Sequence, residues 1–242
     1  MNKKEIREYI WRIMEEKGVA LPPKPINGRI PNFKGAFEAA TNLFKTLEWR
    51  RACIIKVNPD SPQRIVREKA LRIGKTVIMP TPRIREGFLK LDPNKIPARL
   101  YRYASTIKGA FKLGEKIDSP EKLSRIERVD LIVEGSVAVD RWGGRVGKGG
   151  GYGDLEYAIL RELGLACEDT PIATTVHEIQ VLKDKIPLDP WDACVNIIAT
   201  NRRLIRVEGD YLKKPSGVLW DFLDEYKINS IPFLKKLYLL KH

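Results

Sequence analysis

The sequence predicts an α/β fold, one domain with a mostly parallel sheet flanked by helices. Apolar runs of strand length, such as Val129-Asp-Leu-Ile-Val133 and Pro171-Ile-Ala-Thr-Thr-Val176, alternate with segments of helical periodicity. Ala52–Val57, a helix ending at Ile73 and Lys75–Met79 make a strand–helix–strand unit of the length a parallel crossover needs. Between strand and helix signals further on lies a run that neither element tolerates, Arg145-Val-Gly-Lys-Gly-Gly-Gly-Tyr-Gly-Asp154.

The chain has 242 residues, 43% hydrophobic and 31% charged, which suits a globular protein able to bury a core. No apolar run approaches the roughly 18 residues of a membrane span. The N-terminus contains acids and has neither the apolar region nor the cleavage site of a signal peptide. Cys53, Cys167 and Cys194 are odd in number and widely spaced, which argues against a disulfide framework or a zinc site and for a reduced, cytoplasmic compartment. The net charge is +13, and Lys75 to Lys112 holds nine basic residues against two acids. Such a surface attracts nucleic acid, steers a polyanionic small ligand, or is simply solvated.

In chain order, residues 3–17 predict a helix with Ile6, Tyr9, Ile10, Ile13 and Met14 on one face. Lys3, Lys4 and Arg7 oppose its dipole, so they are solvated or an anion offsets them. Gly18 stops it. Val19–Gly35 carries four of the sixteen prolines and predicts an irregular crossing. A second helix is expected over 36–48. Ala52–Val57 is a strand, and Ser61-Pro62 opens a helix with proline at its first position. Arg83 and Arg85 leave the C-terminal end of the next strand, where open α/β sheets bind ligands, and are candidates for a phosphate or carboxylate contact. Residues 86–128 are basic and only weakly periodic. Val129–Val133 is a strand that Ser136–Val139 extends. Asp154–Leu163 predicts a helix, and Cys194–Ile198 a strand. The chain reads as one domain, 1–242, with a core over 3–200 and a C-terminal docking segment, 201–242.

Glycines at 147, 149, 150, 151 and 153 leave successive backbone N–H groups exposed, and such amides make an anion-binding concavity. Arg145 and Lys148 add positive charge, and the helix that follows points its dipole the same way. Asp154 is suited to cap that helix or to hold a Mg²⁺ beside a phosphate. The competing reading is a glycine-rich hairpin with two solvated bases. His177, after a strand, reads as a structural histidine. Trp142 and Trp191 either stack on a ligand or pack.

These residues resemble the 5-formyltetrahydrofolate cyclo-ligase family, whose hallmark is similar to R-x-G-x-G-x-G-Y-Y-D. The D-x-x-V-x-x-I-x-T pattern around Asp192 to Thr200 and the K-x-x-x-R pattern of Lys3 and Arg7 fit as well. RIPNFKG, PTPRIR, GSVAVD and GKGGGYGDLEYA look like the methenyltetrahydrofolate synthase domain-containing subgroup. The resemblance implies an α/β layering like that of the NagB/RpiA/CoA transferase-like folds. It also implies an ATP- and Mg²⁺-dependent ligase that converts 5-formyltetrahydrofolate, or a related formyl-pterin, to the 5,10-methenyl form. On that likeness Lys3, Arg7, Arg145, Gly147, Lys148, Gly149, Gly150, Gly151 and Tyr152 bind ATP. Arg145, Lys148 and Asp154 carry catalysis, Asp60 and Tyr152 touch the folate, and Asp154 and Asn196 hold the metal. Gly153 replaces the second aromatic of the Tyr-Tyr-Asp triplet, which removes one wall. Asn196 stands where the family has a second metal-binding aspartate, and Asp60 is the one acid left in the family's acidic turn. The alternative is a chain of the same fold that binds RNA or a nucleotide without turnover. No membrane partner is expected.

Overall fold

The computed structural model describes residues 1–207, 209 and 214–241. Residues 208, 210–213 and 242, part of the expected docking segment, lie outside the described residues. The first half contains α1 (Lys3–Glu16), β1 (Ala20–Leu21), β2 (Asn32–Phe33), α2 (Ala36–Phe44), α3 (Leu47–Arg51), β3 (Ile54–Val57), α4 (Arg64–Arg72), β4 (Thr76–Pro80), β5 (Phe88–Leu91), α5 (Tyr101–Ala104), α6 (Ile107–Leu113) and β6 (Glu115–Ile117). It continues through α7 (Pro120–Leu123), β7 (Leu131–Glu134), β8 (Ala138–Asp140), β9 (Arg145–Val146), α8 (Tyr152–Glu162), β10 (Ile172–Val176), β11 (Val181–Leu182), β12 (Ile197–Thr200), β13 (Leu204–Arg206), α9 (Glu225–Ser230) and α10 (Pro232–Lys241).

Among the described residues the main sheet has the order β13-β12-β10-β7-β3-β4-β5-β6. The run from β12 to β4 is parallel, and the two flanks are antiparallel. Strand alternation separates two cores. Ile78, Ile132, Ile172 and Ile198 pack with α8 and the C-terminal helices, while Val77, Leu131, Val133 and Ile197 pack with residues of α2, α4 and α6. A third cluster seats the apolar stripe of α1 on Val137, Ala138 and Val146, in and beside the small β11-β8-β9 sheet.

Several expected boundaries move, each for a local reason. The helix expected over 36–48 breaks because Thr46 Oγ1 accepts the Trp49 N–H at 3.2 Å and starts α3 afresh. The helix expected from Ser61 starts at Arg64. Buried Arg67 reaches back and donates to the carbonyls of Asn58, Pro59 and Asp60, which holds the preceding turn out of the helix. Ser136–Val139 does not prolong β7. Ser136 Oγ meets Thr174 Oγ1 at 2.8 Å, Gln180 Nε2 donates to Ser136 O and Val137 O, and the chain crosses into the smaller sheet. The unreadable stretch 86–128 supplies the antiparallel edge, β5 and β6, with short helices between. No helix among the described residues is long and apolar enough to cross a membrane, and Cys53, Cys167 and Cys194 are thiols rather than disulfides.

Candidate active site

The connection β3–α4–β4 leaves β3 on one side, and β7–α8–β10 leaves the adjacent β7 on the other. Ligands bind beyond the carboxyl ends of strands at such a reversal. A cleft of about 830 Å³ opens there. Its walls are Asn58–Ser61 after β3, Thr81–Arg83 after β4, Glu134–Gly135 at the end of β7, Arg145–Asp154, Lys3 and Arg7 of α1, and Asp189–Asp192 in part.

The small-sheet hairpin β8–β9 delivers the glycine loop to this cleft. Arg7 Nε donates to Gly147 O at 3.0 Å, and Lys227 Nζ donates to Gly150 O at 3.3 Å. The carbonyls are thus tied from outside. Among the described residues no N–H from Gly147 to Gly151 donates to a protein acceptor. A row of unpaired amides is costly unless water or a ligand meets it. Gly151, at φ 66°, is the residue before α8, in a left-handed conformation that L side chains disfavour. Asp154 is therefore not the cap the sequence suggested. It sits in the first turn of α8, inside the helix.

Lys3, Arg7, Arg145 and Lys148 all have partners. Buried Arg145 pairs with Asp154 Oδ1, which also accepts the Ala193 N–H at 3.1 Å. Burial works against the Arg145 charge, but Asp154 and Glu134 outweigh it and hold its pKa above the ordinary value. Lys3 Nζ bridges Asp189 at 2.6 Å and Asp192 at 2.5 Å. Burial depresses Lys3, and these two bonds more than restore it. This pairing answers the charge conflict at the start of α1, where Asn2 and Glu5 also form a capping box. Lys148 meets Asp60 at 2.9 Å. Burial raises the Asp192 pKa, Asp154 adds to the rise, and Lys3 opposes it.

Beneath these pairs lies a network the sequence did not reveal. Lys56 Nζ, fully buried on β3, bridges Glu134 at 2.6 Å and Glu156 at 2.5 Å. Asn58 joins it, accepting from Lys56 at 3.3 Å and donating to Glu156 at 3.1 Å. Burial pushes Glu156 up to about 7, with Glu134 acting in the same sense and Lys56 against it. Among the described residues Glu134 Oε2 is buried without a partner. It explains Gly153. A Cβ there would lie 2.7 Å from Glu134 Oε2 and 3.3 Å from the Arg145 guanidinium. The space beside Gly153 is filled by the Glu134 carboxylate and the Arg145 guanidinium. Gly153→Ala is expected to cost about 1–3 kcal/mol by overpacking. Urea unfolding should show most of that cost removed when Glu134→Ala is added.

The structure brings Lys3, Arg7, Asp60, Arg145, Lys148, Tyr152, Asp154 and the loop glycines to one cleft. It does not bring Asn196. Asn196 Oδ1 accepts the Ile172 N–H at 2.9 Å and Asn196 N donates to Ile172 O at 2.7 Å, so it pins the start of β10, at the opposite end of the parallel strand. Asp192, four residues earlier, is the acid beside Asp154. The motif around it was visible, but only the fold shows which of its positions turns toward the cleft. His177 accepts the Ile179 N–H through Nδ1 at 3.1 Å and caps a short turn, and burial lowers its pKa. Trp142 lies under Lys185 away from the cleft, whereas Trp191 lines it and packs against Phe222. Arg83 lines it too, and Arg85 does not.

The sequence model of the 5-formyltetrahydrofolate cyclo-ligase family matches residues 1–201. Methenyltetrahydrofolate synthase domain-containing proteins are 40% identical over 242 residues in Mus musculus and 39% in Bos taurus, covering 98% of this chain. The chain spans only 62–63% of the length of those two relatives. The solution structure of Aquifex aeolicus 5,10-methenyltetrahydrofolate synthetase superposes with a TM-score of 0.52 at 20% identity, over 88% of this chain and 97% of that one, a likeness of fold. With the glycine loop, the Lys3 and Arg7 helix and the acidic cleft in one place, and the family sequence matched across all of them, the chain belongs to the 5-formyltetrahydrofolate cyclo-ligase family.

Proposed function

We propose that the chain is an ATP- and Mg²⁺-dependent cyclo-ligase that closes 5-formyltetrahydrofolate, or a related formyl-pterin, to its 5,10-methenyl form with release of ADP and phosphate. The observation that carries this reading is the row of amides at Gly147 to Gly151, without acceptors among the described residues, bordering a cleft that also holds paired cations and carboxylates.

In this reading the amides and the dipole of α8 receive the phosphates. Lys148 and Lys3 exchange Asp60 and Asp189 for phosphate oxygens, so they are held in reach at little reorganisation. Arg145 occupies Asp154 Oδ1, which leaves Oδ2 to face a cation, with the Asp192 carboxylate nearby. Two carboxylates fit a Mg²⁺, which takes most of its roughly six oxygens from water and phosphate. When bound, the metal neutralises charge on the transferred phosphoryl group. Tyr152, held under Lys227 at 5.4 Å, borders the bound substrates, and Asp60, once released by Lys148, accepts from the folate. Lys148→Ala is expected to weaken nucleotide binding by about 1 kcal/mol, since the side chain is partly exposed and screened. Titration with a fluorescent ATP analogue reads it.

The test of the reaction is direct. Protein, Mg-ATP and 5-formyltetrahydrofolate should yield the methenyl chromophore and ADP in equal amounts. A protein that made neither, yet bound RNA with an affinity falling steeply against log salt, would replace this reading with the binding-protein alternative.

A further inference from the structure

The segment after residue 201, which the family model does not cover, returns to the glycine loop. It is fastened at the end of α8 and reaches back to the start of that helix. At the end, Glu162 Oε2 accepts the Val218 N–H at 3.0 Å, and Glu162 Oε1 pairs with Lys241 at 3.2 Å. Toward the start, Ile228 is buried in the core cluster that includes Leu155 and Ala158 of α8. Asp224 Oδ1 accepts the Lys227 N–H at 2.6 Å. Together these contacts fix the main chain at Lys227.

What the segment brings to the loop is a cation. Lys227 Nζ donates to Gly150 O at 3.3 Å and stands 5.4 Å from the centre of the Tyr152 ring. A cavity of about 240 Å³ separates the segment from the loop, with Gly149, Gly150, Gly151, Trp191, Phe222 and Lys227 in its walls. A Cβ on Gly151 would lie 3.7 Å from Lys227 Nζ, ordinary contact distance. The ammonium thus holds the loop across a gap and not by close packing. Glycines on both sides of the Gly150–Gly151 peptide leave its plane free to rotate unless something ties it. Because that plane is rigid and trans, a carbonyl drawn toward Lys227 turns the Gly151 N–H to the opposite side. This N–H has no acceptor among the described residues.

We infer that Lys227 is a positioning residue for the nucleotide: it sets the Gly150–Gly151 peptide so that the Gly151 N–H is presented to a phosphate. The inference rests on the proposed ligase reading and gives the C-terminal segment a part in the site. A donor already in place needs no reordering when the phosphate arrives. Lys227 acts through the peptide and does not itself touch the ligand.

The test uses the whole chain and two ligands, Mg-ATP and Mg-tripolyphosphate, the second of which carries no nucleoside. Lys227→Met should weaken both by the same factor, about fivefold, the scale of one partly screened hydrogen bond. In the ligand-free protein the same variant should lower the heteronuclear NOE of the Gly150 and Gly151 amides, which reports fast motion of a loop that has lost its tie. Lys241→Met, which cuts the tie of the same segment to Glu162 at the other end of α8, should leave both affinities unchanged. Unchanged binding in Lys227→Met, a loss for ATP alone, an equal loss in Lys241→Met, or weaker binding with the loop as rigid as before would each overturn the inference. If the unsubstituted protein bound neither ATP nor tripolyphosphate, the ligase reading itself would fall.

Discussion

Asp154→Asn is expected to reduce turnover at least about a hundredfold, the scale seen when the surroundings of a catalytic metal are disturbed. It should also cost the fold about 3 kcal/mol, because it leaves buried Arg145 without its main counter-charge. The second effect is not legible in the sequence, where Asp154 reads as a cap or a ligand. Steady-state kinetics and urea unfolding on the same preparation check both. Arg145→Met combined with Asp154→Asn should recover much of the stability and none of the activity, since the buried charge is then gone with its partner. Full activity in Asp154→Asn would remove the residue from the metal site.

Lys56→Met should be the most damaging single change to stability, about 3–5 kcal/mol, because Glu134 and Glu156 would then share a buried site with no cation between them. Denaturant melts read it, and Lys56→Met with Glu134→Gln and Glu156→Gln should be far milder than the single change. The same network predicts a pH dependence. Burial raises Glu156 from 4.5 to about 7 on folding. Between those values the folded state keeps a proton that the unfolded state releases, so its contribution to stability is full below about 4.5 and is lost as pH rises through about 7. Glu156→Gln should flatten that part of the stability profile.

What the sequence made legible were features written in contiguous residues. The β3–α4–β4 crossover, the stripe of α1 and the glycine loop opening onto α8 are each encoded within a few turns of chain. The alternating pattern was enough for a mostly parallel sheet. What it hid depends on partners far apart in number. Lys56, Glu134 and Glu156 look like ordinary polar residues in or beside apolar runs, and only strand register and α8 bring them together. Gly153 read as a missing wall because the Glu134 carboxylate that fills the space belongs to a strand nineteen residues earlier. Asn196 read as a ligand by position in a motif, yet its amide closes the start of a neighbouring strand. The stretch 86–128 has weak periodicity because its strands sit on the antiparallel edge and its helices are one or two turns long.

Main-chain N–H groups from Gly147 to Gly151 are expected to grip the phosphates of a nucleotide. Amide chemical shifts of labelled protein titrated with Mg-ATP test it most directly. The largest shifts should fall on residues 147–151 and the first turn of α8, and should saturate together. Shifts that left this loop unmoved while ATP bound elsewhere would contradict it.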